Sequence, residues 1–435
     1  MIASIINMES PLVPPRAMIH KSLCCHDGSG SSLSTGNTSH RRRALLRVLA
    51  ASAGSWFTGG VAGATPQGQT ATTARIVRVG RSRRVTALAE AARLATDDTE
   101  VLIDAGDYVG DVASWPQNRL VLRAVDGPVR IIAEGKSAEG KGIWVIKGDD
   151  VMVEGIEFTG ARVSDRNGAG IRHEGGHLSV RNCRFIDNEN GLLTSNERRA
   201  SVDIEASEFG HNGAGDGQSH NLYAGAIGRL RVTASYFHHA RVGHLLKSRA
   251  EHSYVAYNRL TDERDGHASY ELDFPGAGSV FMIANIVEQS ATTENSVMVS
   301  FGAEGARWQR NELFMVNNTL ANDYANGTVF LRVIAPPTRL VVYNNLLVGK
   351  QNAPLQEAGK GDFAGNLAAS RNELVAPERY DYRLKKDSHA IGKAVIPRFD
   401  VGVDLRPNQE YVHPRQLREL TTGVYSPGAQ QTPAG

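Results

Sequence analysis

The amino-acid sequence predicts an all-β chain, a right-handed parallel β-helix built as a single-stranded solenoid with an N-terminal capping helix. An apolar residue closes a short strand-like phrase eight times, at Phe158, Phe185, Phe209, Phe237, Leu260, Val287, Leu320 and Leu347, at intervals of 23 to 33 residues. That is the span of one β-coil per repeat. Several phrases open on Asn, as in Asn182-Cys-Arg-Phe185, Asn258-Arg-Leu260, Asn285-Ile-Val287, Asn317-Asn-Thr-Leu320 and Asn344-Asn-Leu-Leu347. Asn tolerates the left-handed or bridge geometry of a corner between strands and hydrogen-bonds to nearby backbone. A single repeat cannot bury its own apolar side, whereas stacked coils share one core. Growth by added coils lets 435 residues form one elongated domain without a second core.

Taken in order, residues 1–64 read as a leader. Arg42-Arg43-Ala-Leu-Leu-Arg47 precedes an apolar segment through Trp56-Phe57, and Val61-Ala-Gly-Ala64 suits signal-peptidase cleavage. This resembles the twin-arginine export signal, which implies use of the export machinery and a periplasmic or secreted mature domain. Cys24 and Cys25 leave with such a leader, so Cys183 remains alone and the mature domain forms no internal disulfide. Residues 65–420 are expected to form the β-helix with its terminal caps. Val85 to Ala95 reads as a helix with Val85, Leu88, Ala89 and Ala92 on one face, placed to cover the open end of the solenoid. Val101-Leu-Ile103, Leu120-Val-Leu122, Val129-Arg-Ile-Ile132, Trp144-Val-Ile146 and Val151-Met-Val153 supply further strands. The pattern loosens after Leu347, and residues 421–435, rich in Gly, Pro, Gln and Thr, are expected to be a flexible tail.

Forty-eight basic against 46 acidic residues give a net charge of +2, without the concentrated basic stripe of a nucleic-acid binder. No apolar run approaches the roughly 20 residues of a membrane span. The balance permits an acidic polysaccharide ligand where a few cations converge.

The covering helix, the Val101 to Gly110 phrase and the Gly155-Ile-Glu-Phe158 coil resemble the pectate-lyase-like right-handed β-helix superfamily over nearly the whole mature chain. Gly243-His-Leu-Leu-Lys-Ser-Arg249 with Glu251-His-Ser-Tyr-Val-Ala-Tyr-Asn258 looks like the catalytic coil of the β-helical alginate lyase and chondroitinase B family. On that resemblance Lys247 falls on the family base, Ser248 on its inward neighbour, and Glu251 and Asn258 on structural corner positions. The chain departs from the family twice. Asp273 stands where the second catalytic cation is expected, and Arg241 and His244 occupy the region of the calcium-binding carboxylates, so the calcium mechanism does not carry over.

The residues also argue on their own. Coils of 23 to 28 residues whose strands lie about 4.8 Å apart bring the neighbourhoods of Tyr223, Lys247 and Glu271 towards one outward patch. Elimination from a uronide requires stabilisation of charge on the carboxylate side, removal of H5 and protonation of the leaving oxygen. Lys247 and Arg249 supply cations, His220, His244 or Lys247 a base, and Tyr223 a proton donor or base. Asn221, Arg241, His252, Tyr270, Glu271 and Asp273 are expected to line the substrate. Two other readings stand beside this one. A β-helical glycoside hydrolase would use Glu271 and Asp273 as a carboxyl pair, with Asp216 as a possible third; a non-catalytic exopolysaccharide-binding protein would use Tyr223, Tyr254, Tyr257 and Tyr270 as contacts. No cofactor is expected. A divalent metal is not favoured, because consecutive residues such as His238 and His239 do not readily point into one strand-mounted site.

Overall fold

The computed structural model describes residues 75–420 and 423–431. The leader and its Arg42-Arg43 pair lie outside the described residues. Parallel strands stack coil on coil into a 21-stranded sheet, bent at a corner into two faces, and a nine-stranded sheet that forms the third face. The result is the right-handed β-solenoid.

Each coil repeats one logic. In Ser201–Glu205, Val202 and Ile204 point inward, and the register sets them under Leu178 and Val180 of the previous coil and over Leu230 and Val232 of the next. Beyond the corner, Phe158, Phe185, Phe209 and Phe237 stack with centroids 5.2, 4.6 and 4.7 Å apart. The nine-stranded face adds an inward column of Leu192, Leu222, Leu246, Leu272, Val299 and Leu331. Burial of such a side chain stabilises by roughly 1.5–3 kcal/mol, against about 0.5–1.5 kcal/mol net for one hydrogen bond. The columns drive stacking, and hydrogen bonds fix the register.

The corner hydrogen bonds come from the Asn phrases. The Oδ1 of Asn285 accepts the backbone N–H and the side-chain amide of Asn258, at 3.1 and 3.0 Å. Asn318, Asn345 and Asn366 continue the same pattern. Towards the N-terminus Ser235 and Ser207 take over the position, their hydroxyl oxygens accepting the backbone N–H groups of Ser207 and Cys183. The left-handed residue is the one before each ladder position: Tyr257, Ala284, Asn317 and Asn344 have φ of 58, 51, 54 and 56°. Asn at these corners thus serves first as a buried bracket between coils.

At the N-terminal end the helix Leu88–Leu94 turns Leu88, Ala91 and Ala92 into the core. The Asp111 carboxylate accepts the N–H groups of Leu88 and Ala89 at 2.5 and 3.0 Å, filling orphan donors of the first turn. Two antiparallel hairpins, Leu374–Ala376 with Asp381–Leu384 and Gln409–Val412 with Gln416–Glu419, follow the last coils. Residues 423–431 depart from the flexible tail expected there. Ala429 donates its N–H to Thr319 Oγ1 at 3.0 Å, Asn317 donates to the Ser426 carbonyl at 3.0 Å, and Ala429 and Ser426 are buried. Low hydropathy concealed this segment because its anchors are backbone groups rather than apolar side chains.

Candidate functional site

Three short strands of the nine-stranded sheet, Leu222–Ala224, Leu246–Ser248 and Leu272–Phe274, position the site. Their leucines point into the core, so alternation turns the next residue outward. In register these are Tyr223, Lys247 and Asp273, followed along the solenoid by Ser300 and Arg332. Lys247 is therefore aligned with Asp273, where equal intervals placed Glu271.

Lys247 is mostly covered, its Nζ 3.9 Å from an Asp273 oxygen and 5.6 Å from the centre of the Tyr223 ring. Burial lowers the Lys247 pKa below the ordinary lysine value and Arg249 adds to this, against the pull of Asp273 and Glu304. Burial pushes the Asp273 carboxyl up to about 6. Arg249 binds the Tyr223 hydroxyl through one nitrogen and Glu304 through two others, with its guanidinium 5.1 Å from the Tyr223 ring centre. This contact holds Glu304 below the usual carboxylate range.

His220 and His244 form a stacked pair at 4.4 Å behind this row. His220 is fully buried, and its Nδ1 accepts the backbone N–H of His244 at 3.0 Å. His244 reaches Asp273 at 3.6 Å through Nε2 and meets the Tyr270 ring edge-on at 4.9 Å. Burial holds both imidazoles well below their usual pKa and therefore neutral.

Other expected contacts fall elsewhere. Asn221 is buried in the corner, donating to the His238 carbonyl at 2.8 Å and accepting from Asn212. Arg241 pairs with Asp187 at 2.6 Å. His252 begins a strand of the 21-stranded sheet, in register with Arg229 and Ser279, and so lies on a different face from Lys247. Glu271 precedes its strand, where alternation does not apply. It is fully buried, and burial together with Asp262 and Glu288 keeps its pKa well above the carboxylate range. Asp216 is exposed on the preceding loop and accepts from Gln218 N–H at 3.0 Å.

The sequence reading missed Glu304, Arg307 and Trp308. Trp308 donates from Nε1 to the Arg249 carbonyl at 3.1 Å and carries the Arg198 guanidinium over its ring at 4.7 Å, while Arg307 bonds Glu304 at 2.9 Å. These residues form a wall beside Arg249. The signal was the longest repeat interval, from Val287 to Leu320, which marks an enlarged loop in that coil.

The surroundings do not fit a calcium ion, which takes six to eight oxygen ligands. Asp273 and Glu304 are the carboxylates nearest Lys247, and each already faces cationic or imidazole groups.

No protein-family model matches the chain, and no curated protein matches its sequence. Among solved structures, the crystal structure of pectate lyase Pel9A is similar at a TM-score of 0.54 and 12% identity, over 75% of this chain and 93% of that one. A PL6 family polysaccharide lyase from Pseudopedobacter saltans matches at a TM-score of 0.32 and 11% identity, over 72% of this chain and 96% of that one. The chain has a right-handed parallel β-helix fold, an architecture it shares with pectate lyase Pel9A. At this identity the likeness to Pel9A speaks for architecture, and the site must speak for chemistry. Among the described residues no helix is long and apolar enough to cross a membrane.

Proposed function

We propose that this protein is a polysaccharide lyase that cleaves an acidic, uronate-containing polymer by β-elimination, with Lys247 as the base. The observation that carries the reading is a largely covered lysine, its pKa lowered by burial, set beside an arginine-bound tyrosine on an outward row of the solenoid. The neutral amine takes the proton from C5, the C5–H electron pair moves towards the carboxylate, and the bond to the leaving oxygen at C4 breaks. Arg249 stabilises the charge that develops on the carboxylate, and Tyr223 protonates the leaving oxygen. The row from Leu193 through Tyr223 and Lys247 to Asp273 runs along the coil axis and suits an extended chain.

The hydrolase reading has less support. Glu271 is enclosed with Asp262 and Glu288, so Glu271 and Asp273 do not flank one solvent-facing position as a carboxyl pair. The test is product chemistry on a panel of acidic and neutral polysaccharides. A lyase yields unsaturated ends that absorb in the ultraviolet, and Lys247→Ala removes that activity. Reducing ends without absorbance would establish a hydrolase, and tight binding without either product would establish a binding protein. A periplasmic or secreted location through the Arg42-Arg43 leader belongs to the same proposal. Replacing both arginines with Lys blocks export, and unchanged export would sink that part.

A further inference from the structure

A second polar cluster lies at the corner that follows the phenylalanine stack. Phe209 and Phe237 are in register, and so are Gly210 and His238. The residues that follow, His211 and His239, both adopt left-handed backbone, with φ of 55 and 46°. In a regular strand His238 and His239 would point to opposite faces. The left-handed turn overturns that expectation by bringing the second ring back to the first. Their planes meet at 90° with Nδ1 atoms 2.7 Å apart. The His211 ring stacks on His239 at 4.6 Å and meets His238 edge-on at 5.2 Å. One ligand nitrogen from each of the three residues lies within 4.8 Å of the others.

The seat is shaped for these rings. A Cβ at residue 210 would fall 2.2 Å from the His238 ring, so the ring fits over Gly210 only because that residue has no side chain. Carboxylates stand at the outer nitrogens. His239 Nε2 lies 3.1 Å from Asp265, and His238 Nε2 lies 3.5 Å from Glu208. An outer carboxylate favours the Nε2–H tautomer and leaves the Nδ1 lone pair facing inward, as in histidines that ligate metals. With both rings in that tautomer, two lone pairs would face each other at 2.7 Å. A shared proton or a cation between them removes the conflict. The nearby Arg241 charge is offset by Asp187 at 2.6 Å.

We propose that His211, His238 and His239 form a binding site for a divalent transition metal of the zinc class, which clamps two adjacent coils. Three imidazoles suit zinc, copper, nickel or cobalt and not calcium or magnesium. Tetrahedral bonds of about 2.0–2.1 Å set ligand nitrogens about 3.3 Å apart, so the two Nδ1 atoms part slightly on binding. Three imidazoles leave a fourth tetrahedral position for water. This site is independent of the lyase reading.

The full chain, stripped of metal with a chelator, is titrated with Co²⁺ and with Zn²⁺ against a chromophoric chelator. The expected result is one equivalent bound, a tetrahedral Co²⁺ visible spectrum and a higher melting temperature with Zn²⁺. His211→Asn and His239→Asn abolish all three effects while circular dichroism stays unchanged. Gly210→Ala does the same by displacing the His238 ring, and Asp265→Asn weakens binding on the order of 10–100-fold. His244→Asn leaves binding intact. The proposal is overturned by a folded wild-type chain that binds neither ion, which leaves a shared proton between the rings. It is equally overturned by binding that survives in the His211→Asn/His239→Asn double variant, or that is lost in His244→Asn.

Discussion

Asp273 stands on the outward row beside Lys247 and His244, whereas Glu271, two positions earlier, is enclosed with Asp262 and Glu288. Both carboxyls are almost fully buried, and burial raises the pKa of both. Their neighbours separate them. A cation beside Asp273 limits its rise to about 6, while Asp262 and Glu288, themselves raised to about 7 and about 8, push Glu271 further from ionisation. Partners more than depth decide whether a buried carboxyl keeps its charge, and therefore whether it belongs to a charged outward row or to a neutral core.

Three experiments test this contrast and a fourth tests the corner that carries both regions, in order of expected effect. Lys247→Ala should lower turnover by on the order of 10²–10⁴. A rise in KM with kcat unchanged would instead make Lys247 a binding residue. Asn285→Ala, outside both regions, should destabilise by roughly 3 kcal/mol in urea unfolding, since it strands buried groups of the corner. A loss under 1 kcal/mol would show that the apolar columns alone hold the register.

Asp273→Asn should shift the acid limb of the kcat profile to lower pH by about 1 unit. The sign follows from the charge: the carboxylate stabilises the Lys247 ammonium, and its loss frees the neutral amine at lower pH. An unmoved limb would detach Asp273 from the proposed base. The smallest effect is expected from Glu271→Gln, which should leave turnover within a few-fold of wild type and act on stability instead. Because the folded state raises the pKa of Glu271, Asp262 and Glu288, it binds more protons than the unfolded chain. Stability then falls as pH rises from the unfolded carboxylate values towards about 8, the raised value of Glu288. Glu271→Gln should flatten that fall, and an unchanged slope would place the protons elsewhere.

The fold was legible because Phe158 to Leu347 repeat at intervals that a coil must have, and the Asn phrases mark corners. The candidate site, as a cluster of side chains, was legible only in part. Lys247, Arg249 and Tyr223 were recoverable from one motif and one interval, but coil length varies, so counting 24 residues from Lys247 reached Glu271 instead of Asp273. His252 was grouped by sequence nearness, although the chain had already turned onto another face. The pairing of His238 with His239 was hidden by the alternation rule, which fails at a left-handed residue. His211 and His239 nevertheless follow Phe209 and Phe237 by the same two positions, a repeat that the sequence displays.

The asparagine ladder has a further consequence. Its successive rungs are separated by 27, 33, 27 and 21 residues, yet its backbone N–H bonds measure 3.1, 3.0, 2.9 and 3.0 Å. The corner is thus insensitive to how much chain passes between its rungs, and added residues emerge on the opposite side of the coil. The longest coil spends its surplus on the loop that bears Glu304, Arg307 and Trp308 beside Arg249. Insertion at that loop is a route by which such a scaffold acquires new specificity while its core sequence stays unaltered.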